Sequence, residues 1–394
     1  MDPDLVGWLA SPDGLEAIRR ADASSAGDPL TAQQRAAVLT QVDLARQAGL
    51  VPGQWLLTRD GLEQATRPEV AARHAQHVSR VGTSVVDLGA GLGFDAAAMI
   101  AAGLRVTAVE QDPVRVAYLR VNVPQAVVVA GNVTDPELLA QVLTDQQAVI
   151  FCDPGRRSTA RQLDGRRAHP ERDPQRWSPP WSFVLDLARY RRVVVKAAAG
   201  IPRTVIPDGW QAEWVSAQGV LLEALLTNTG ALTAERQAAV LRDGHWHQLA
   251  RDEAPTLIGA EQVGAVVHQV DPAVLAADAT ATLAARLSGR ALTEDGRWLT
   301  SDAESAHQDC AFLRNYSVIE ELPPQLPALR KALRARGITE AVIKSRGRDQ
   351  AQLRRALGLR EGSGPVLAFI DNRGTGKDRK SGMPSRVLHL GLLG

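Results

Sequence analysis

Residues 84–122 read SVVDLGAGLGFDAAAMIAAGLRVTAVEQDPVRVAYLRVN. A short apolar run, Val85 and Val86, ends in Asp87. A glycine loop follows, Gly89-Ala-Gly91-Leu-Gly93, and then an Ala-rich apolar stretch with helical character over about Phe94–Ala102. A β-branched run, Val106–Val109, then ends in Glu110. Strand, glycine turn, helix, strand and acid predict the mononucleotide-binding half of a doubly wound parallel sheet. The glycines let the backbone turn sharply and let a ligand lie against bare peptide groups. A carboxylate at the end of the second strand can accept both hydroxyls of a ribose. Glu110 lies 21 residues after Gly89, the reach that contact needs.

Two cofactor classes use such a turn. A dinucleotide fingerprint, G-x-G-x-x-G, needs its third glycine at position 94, where this chain has Phe94. The order here is G-x-G-x-G, with Asp87 two residues before the first glycine. An acid that close to the loop repels a pyrophosphate and suits the amino group of a methionine-type ligand. A glycine loop that merely packs is the plainer alternative, and the two placed acids count against it. The pattern resembles the first two motifs of the class I methyltransferases, which bind S-adenosyl-L-methionine.

The 394 residues suggest two or three domains, and a hydrophobic content of 45% is ordinary for a globular protein. The formal net charge is +1, so any nucleic-acid partner has to be met by local patches. Cys152 and Cys310 lie far apart without metal spacing, which argues for a reducing compartment and against a zinc site or disulfide scaffold. The first residues, MDPDLVGWLA, have acids where a secretory signal needs basic residues. No apolar run approaches the ~20 residues of a membrane span. A soluble, cytoplasmic protein is the expectation, with no metal and no membrane partner.

Outward from the glycine loop, residues 1–80 read as helices. Thr31 is placed to cap the helix that carries Val38, Leu39 and Val42. Thr66-Arg-Pro-Glu69 is a capping-box pattern with Pro68 in the first turn. The preceding Leu62-Glu-Gln-Ala-Thr66 reads either as a turn and cap or as a cover over the glycine loop. Downstream of Glu110, a helix Pro113–Asn122 and a strand Ala126–Val129 lead to Gly131-Asn132. In the methyltransferase family an Asp at this place often meets the adenine. Here Asn132 takes its position.

A fourth strand, Ala148–Phe151, runs into Cys152-Asp153-Pro154-Gly155-Arg156-Arg157. The resemblance makes Asp153 the substrate-side acid, at the mouth outside the carboxyl ends of the strands. No aromatic follows the proline, so stacking on a flipped base is not supported there. Arg156 and Arg157 can hold a phosphate or pair with surface acids. Residues 155–192 carry ten arginines against Asp164, Glu171, Asp173 and Asp186, a balance of +6, with Trp177 and Trp181 interleaved. That mixture suits single-stranded nucleic acid. Strand five, Val193–Lys196, brings Lys196 to the mouth, as an active group or as a buried ion-pair partner. Two runs, Gln211–Ser216 and Val220–Thr227, read as the hairpin that closes a methyltransferase sheet.

The tail predicts a compact α/β unit. It has a helix Ala328–Arg336, a strand Ala341–Lys344, a helix Gln350–Leu357 and strands Val366–Ile370 and Arg386–Leu390. Eleven basic residues lie between Lys344 and Arg386 against four acids, a balance of +7. Tyr316–Pro324, IKSRGR and QLRRALGL resemble the THUMP-like domain that some bacterial class I methyltransferases carry. DPGRR, VVVKAAAGIP and LEQATRPEVAARH fit the same family, so the resemblance spans about residues 60–394. THUMP domains proper bind RNA, so the resemblance implies an RNA substrate, tRNA or rRNA.

The expected fold is therefore α/β. It comprises a doubly wound, Rossmann-like methyltransferase sheet, N-terminal helices and a smaller C-terminal THUMP-like domain. The expected boundaries are 1–80 helical, 81–230 catalytic, 231–315 connecting and 316–394 THUMP-like. Asp87, Gly89, Gly91, Gly93, Glu110 and Asn132 are the expected cofactor residues, and Asp153 and Lys196 the catalytic ones. Arg156, Arg157, Lys377, Arg379 and Lys380 are the expected substrate holders. The competing readings are a non-catalytic RNA-binding protein on a methyltransferase scaffold, a methyltransferase of a protein or small molecule, and a nicotinamide oxidoreductase, which Phe94 disfavours.

Overall fold

A computed structural model describes residues 2–22, 30–155, 171, 173–302, 310–345, 348–371 and 386–393. The chain divides into two compact units. The first is Met1–Gln211 with Leu225–Leu232, and the second is Ala212–Ala224 with Thr233–Gly394.

The first unit opens with helices α1 (Pro3–Leu9), α2 (Pro12–Asp22), α3 (Ala32–Gln47), α4 (Arg59–Gln64) and α5 (Pro68–Ser79). Thr31 caps α3 as its position predicted. Its Oγ1 accepts from the Gln34 amide at 3.2 Å, and Gln34 Oε1 accepts from the Thr31 amide at 3.0 Å. The capping box predicted at Thr66 does not form. Arg67 is the N-cap of α5 and makes no side-chain cap bond. The Thr66 hydroxyl is engaged elsewhere, in the site below.

The sheet then alternates with helices: β1 (Ser84–Leu88), α6 (Phe94–Ala101), β2 (Arg105–Glu110), α7 (Pro113–Asn122), β3 (Val127–Ala130), α8 (Pro136–Val142), β4 (Val149–Cys152), α9 (Trp181–Ala188) and β5 (Val193–Ala198). After β6 (Gln211–Ala217) the chain returns along β7 (Val220–Thr227). The strand order within this unit is β3-β2-β1-β4-β5-β7. β1 runs parallel to both β2 and β4, with Val86 opposite Thr107 and Ile150. The order reverses between β1 and β4, and the carboxyl ends there form the crevice where ligands of such sheets bind. Helices on both faces explain the unbroken valine runs: β1 and β4 are buried at every residue.

Packing fixes the glycine loop from the N-terminal side. Trp55 stacks on Phe94 with ring centroids 4.6 Å apart. Asn122 bridges the chain, accepting from the Leu56 amide at 2.7 Å and donating to the Leu92 carbonyl at 2.9 Å. A Cβ on Gly61 would come within 2.6 Å of Leu92 Cδ1 and 2.7 Å of Thr58 Oγ1, so a larger residue where α4 meets the loop would have to push those side chains aside.

In the second unit, β6 runs parallel to β8 (Arg236–Arg242), and β8 turns through Asp243-Gly244 into β9 (His245–Ala250). Both turn residues have positive φ, 51° and 77°, the two-residue turn that Asp-Gly favours. β10 (Val266–Val270), α10 (Pro272–Ala276), α11 (Thr280–Arg286), β11 (Arg290–Ala291), β12 (Trp298–Ser301) and β13 (Leu313–Leu322) follow. The chain ends with α12 (Leu326–Ala335), β14 (Val342–Lys344), α13 (Gln350–Leu357), β15 (Val366–Ile370) and β16 (Arg386–Leu392). These form a seven-stranded sheet in the order β11-β12-β10-β13-β16-β15-β14. Leu329, Leu333, Leu353 and Leu357, from the inner faces of α12 and α13, pack on Leu367, Phe369 and Val387. Among the described residues no helix is long and apolar enough to cross a membrane.

Candidate active site

The glycine loop adopts the conformation its composition requires. Gly89, Gly91 and Gly93 have φ of 94°, 58° and 93°, the left-handed region where a side chain is strained. A Cβ on Gly93 would press within 2.5 Å of Val123 Cγ2, so that glycine also serves packing. A Cβ on Gly91 meets nothing within 4 Å. That backbone faces open space, as a ligand cradle must.

Glu110 is the last residue of β2 and is buried. Its Oε2 accepts from the Gly91 amide at 2.9 Å, and its Oε1 from the Gln111 and Asp112 amides, each at 2.9 Å. The acid therefore ties the second strand to the loop. A carboxylate offers about four lone-pair directions, which leaves acceptor capacity for a diol. Asn132 follows β3, which pairs with β2 through Ala130 opposite Glu110. Its Oδ1 accepts from the Thr134 amide at 3.0 Å and the Thr134 hydroxyl at 2.9 Å. The exposed side chain thus holds an Asx turn, and its amide group remains at the rim.

Asp87 stands one residue before the end of β1 and is only 1% exposed. Its Oδ2 is buried and has no hydrogen-bond partner among the described residues. Burial pushes its carboxyl well above the usual carboxylate range. The charges of Asp95, Asp153 and Glu110 push the same way, and Lys196 opposes them. Asp87 thus lies among three other acids and has an idle oxygen.

Lys196, in β5, is buried, and its ammonium meets Asp153 and Thr66. It lies 2.5 Å from Asp153 Oδ2 and 2.9 Å from Thr66 Oγ1. The ion-pair alternative for Lys196 is therefore what the structure contains, made with the other predicted catalytic residue. Thr66 Oγ1 in turn lies 2.5 Å from Asp95 Oδ2, and His74 Nδ1 lies 2.8 Å from Asp95 Oδ1. Burial alone would raise the Asp95 carboxyl. The His74 charge and hydrogen bond, then Lys196 and Thr66, outweigh it and bring it to about 2. Cys152, ahead of Asp153, is buried, and burial pushes its thiol well up, away from the reactive thiolate.

Thr66, His74 and Asp95 carry no local signal for this role. Thr66 sat inside a capping pattern, and the partners of all three are distant in sequence. One compositional signal does point at Lys196. Only five of the 45 Lys and Arg residues are lysine, and Lys196 is the sole one before Lys331. A chain that otherwise uses arginine places a compact, three-donor ammonium here.

Two expectations for the substrate side change. Trp177 and Trp181 are not a stacking platform, because both are buried. The Trp177 indole donates to the Glu171 carbonyl at 3.2 Å, and Trp181 donates to the Val205 carbonyl at 3.0 Å while meeting Trp210 edge-on. Indole rings have too much apolar area to stay on a wet loop when a core face is in reach. In the tail, part of the basic excess is paired internally. Arg348 donates to Asp371 at 2.8 Å, and Arg386 lies 3.5 Å from Glu321. Arg156, Arg157, Lys377, Arg379 and Lys380 lie outside the described residues.

Residues 313–381 match the family model described as THUMP domain-like. The structure is similar to that of a candidate methyltransferase from Porphyromonas gingivalis W83, with a TM-score of 0.74 and 18% identity over 98% of this chain and 99% of that one. Weaker similarities include a precorrin-6y C5,15-methyltransferase from Geobacter metallireducens GS-15, with 13% identity, 44% and 90% coverage and a TM-score of 0.29. The METTL16 methyltransferase domain gives 14% identity, 50% and 80% coverage and a TM-score of 0.29. No curated protein sequence matches the chain significantly. The chain thus combines a methyltransferase-type α/β fold with a THUMP-like C-terminal domain.

Proposed function

We propose that this protein is an S-adenosyl-L-methionine-dependent methyltransferase acting on RNA, with residues 81–230 as its catalytic domain. The observation that carries the cofactor reading is the unpartnered Asp87 oxygen, buried beside a glycine cradle and crowded by Asp95, Asp153 and Glu110. A site with surplus negative charge suits a ligand with positive centres, an amine and a sulfonium, and disfavours a pyrophosphate. The residues present fit such a cofactor. Asp87 would take its amino group, Gly89, Gly91 and Gly93 its flank, Glu110 its ribose and Asn132 the rim near its base. When bound, the cofactor supplies a methyl group on a positively charged sulfur.

The chain's own contribution is positioning and charge. Asp153, 28% exposed at the end of β4 and held by Lys196, presents a fixed acceptor to a substrate N–H or O–H. Accepting that hydrogen bond orients the substrate lone pair, and a near-attack geometry removes much of the barrier. The apolar wall of β1 and β4 excludes water from behind.

Calorimetry tests the cofactor: S-adenosylhomocysteine should bind and NAD should not, and the reverse result removes the proposal. The RNA reading rests on the THUMP-like match and on the basic segments 155–192 and 344–386. Mass spectrometry of nucleosides from total RNA, with and without the gene, should show one methylated nucleoside missing. Filter binding adds a second check. Replacing Lys377, Arg379 and Lys380 by Ala should reduce the salt slope by up to nearly one unit per lost phosphate contact and leave cofactor affinity unchanged. RNA affinity that is negligible at low salt would move a protein or small-molecule substrate ahead.

A further inference from the structure

Five side chains form one hydrogen-bonded line, His74–Asp95–Thr66–Lys196–Asp153. Chemistry fixes its direction. An ammonium has no acceptor, so Lys196 donates to both Asp153 and Thr66. The Thr66 oxygen is thereby an acceptor, and its own hydrogen goes to Asp95. Asp95 is a carboxylate, so His74 Nδ1 carries the proton in that bond. Asp95 also lies in the first turn of α6, where the helix N-terminus favours negative charge. No bond in the line can reverse without breaking another.

His74, Asp95, Thr66 and Lys196 are all buried, and Asp153 is the partly exposed terminus at the mouth. Burying so many polar groups stabilises a fold no better than apolar packing of the same volume. A line of buried polar groups that reaches a partly exposed acid at the mouth is explained by what it holds at that mouth. The members come from different elements: α5, the α4–α5 connection, α6, β5 and the end of β4. Thr66 is the hinge of the line, accepting from Lys196 and donating to Asp95. It is also the reason the predicted cap on α5 is missing.

We infer that Thr66 is a positioning residue for methyl transfer: backed by Asp95 and His74, it aims the Lys196 ammonium at Asp153 and so holds that carboxylate in place for the substrate. The inference rests on the methyltransferase reading above for its function, and on the hydrogen-bonded line for its geometry.

The scarcity of lysine makes the test direct. The full chain labelled with side-chain 13C,15N-lysine should give five ammonium signals, and the one lost in Lys196→Arg identifies Lys196. Its solvent exchange should be slower than that of the exposed Lys331. A Lys196 signal exchanging as fast as Lys331 in the wild type overturns the inference without any appeal to variants. Thr66→Val, which keeps the shape and removes the hydroxyl, should release that protection. It should lower kcat by about 10–100-fold with cofactor affinity and KM unchanged. Thr66→Ser should restore both. A folded Thr66→Val chain with a protected Lys196 and wild-type kcat also overturns it. A wild type that binds no S-adenosylhomocysteine sinks the methyltransferase reading, and the inference with it, through a different measurement.

Discussion

Each unit buries an aspartate with an idle oxygen, and the two differ in their tasks and surroundings. Asp271 Oδ1 accepts from the Ser216 hydroxyl at 2.6 Å and from the Ala273 amide at 2.8 Å, capping α10. Its Oδ2 is unpartnered, but the residue has a structural task and Arg242 nearby to offset the charge. Among the described residues Asp87 caps no helix, and the charges that act on it are mostly acids. Burial raises both carboxyls. A buried carboxylate that stabilises the fold through one oxygen is explained by the fold. One that adds charge to an acidic mouth is explained by what the mouth binds.

The comparison breaks most visibly where the acids do have partners. Asp95→Ala should cost about 3–5 kcal/mol of stability, the loss for removing one member of a buried charged pair. Its carboxyl, held at about 2 against an ordinary 3.8, binds its proton less readily folded than unfolded. Its contribution is therefore fully present above about pH 4 and disappears as pH falls toward 2. Urea melts at several pH values read this directly. Equal wild-type and Asp95→Ala stabilities at pH 7 would show that His74 and Thr66 stand without it.

Next in size is Glu110→Ala, which should weaken cofactor binding by about 1–3 kcal/mol, as expected for bonds to a charged acceptor. Glu110 also holds three backbone amides, so the melting temperature should fall too. Glu110→Gln keeps one acceptor oxygen and should recover part of the stability. If calorimetry finds full cofactor affinity in either variant, the diol contact lies elsewhere.

Much of this frame was legible in the sequence because it is local. Valine runs and left-handed glycines place Asp87, Glu110, Asp153 and Lys196 at neighbouring strand ends, with boundaries within a residue or two. Asp243-Gly244 similarly announced its turn. What stayed hidden depends on long-range pairing. Thr66 with Glu69 looks like a capping box whether or not its hydroxyl finds Asp95, and nothing near His74 announces a partner 21 residues away. Trp177 and Trp181 misled because basic and proline-rich neighbours suggested a wet loop, while the rings found the core.

Asp271→Ala is the structural half of the contrast. It should cost about 2 kcal/mol, combining a lost N-cap with an orphaned Ser216 hydroxyl. Cofactor affinity should not change. A loss of cofactor heat in this variant would mean that the two aspartates are not separable in function.

The smallest effect has the opposite sign. Asp87→Asn keeps the shape, removes the charge and offers amide hydrogens to a neighbourhood of carboxylates. It should raise the stability of the ligand-free protein by on the order of 1 kcal/mol, as removal of a functional liability typically does. The sign follows from linkage. A carboxyl raised by burial binds its proton more readily in the fold, so its ionised form subtracts stability as pH rises above the ordinary 3.8. The gain in Asp87→Asn should therefore be seen at neutral pH and vanish below about pH 4. The same variant should lose S-adenosylhomocysteine binding, because the amide cannot neutralise an ammonium. Paired melting curves and calorimetry on one preparation measure both. A variant that is less stable and still binds would make Asp87 a structural acid like Asp271, and the contrast between the two sites would collapse.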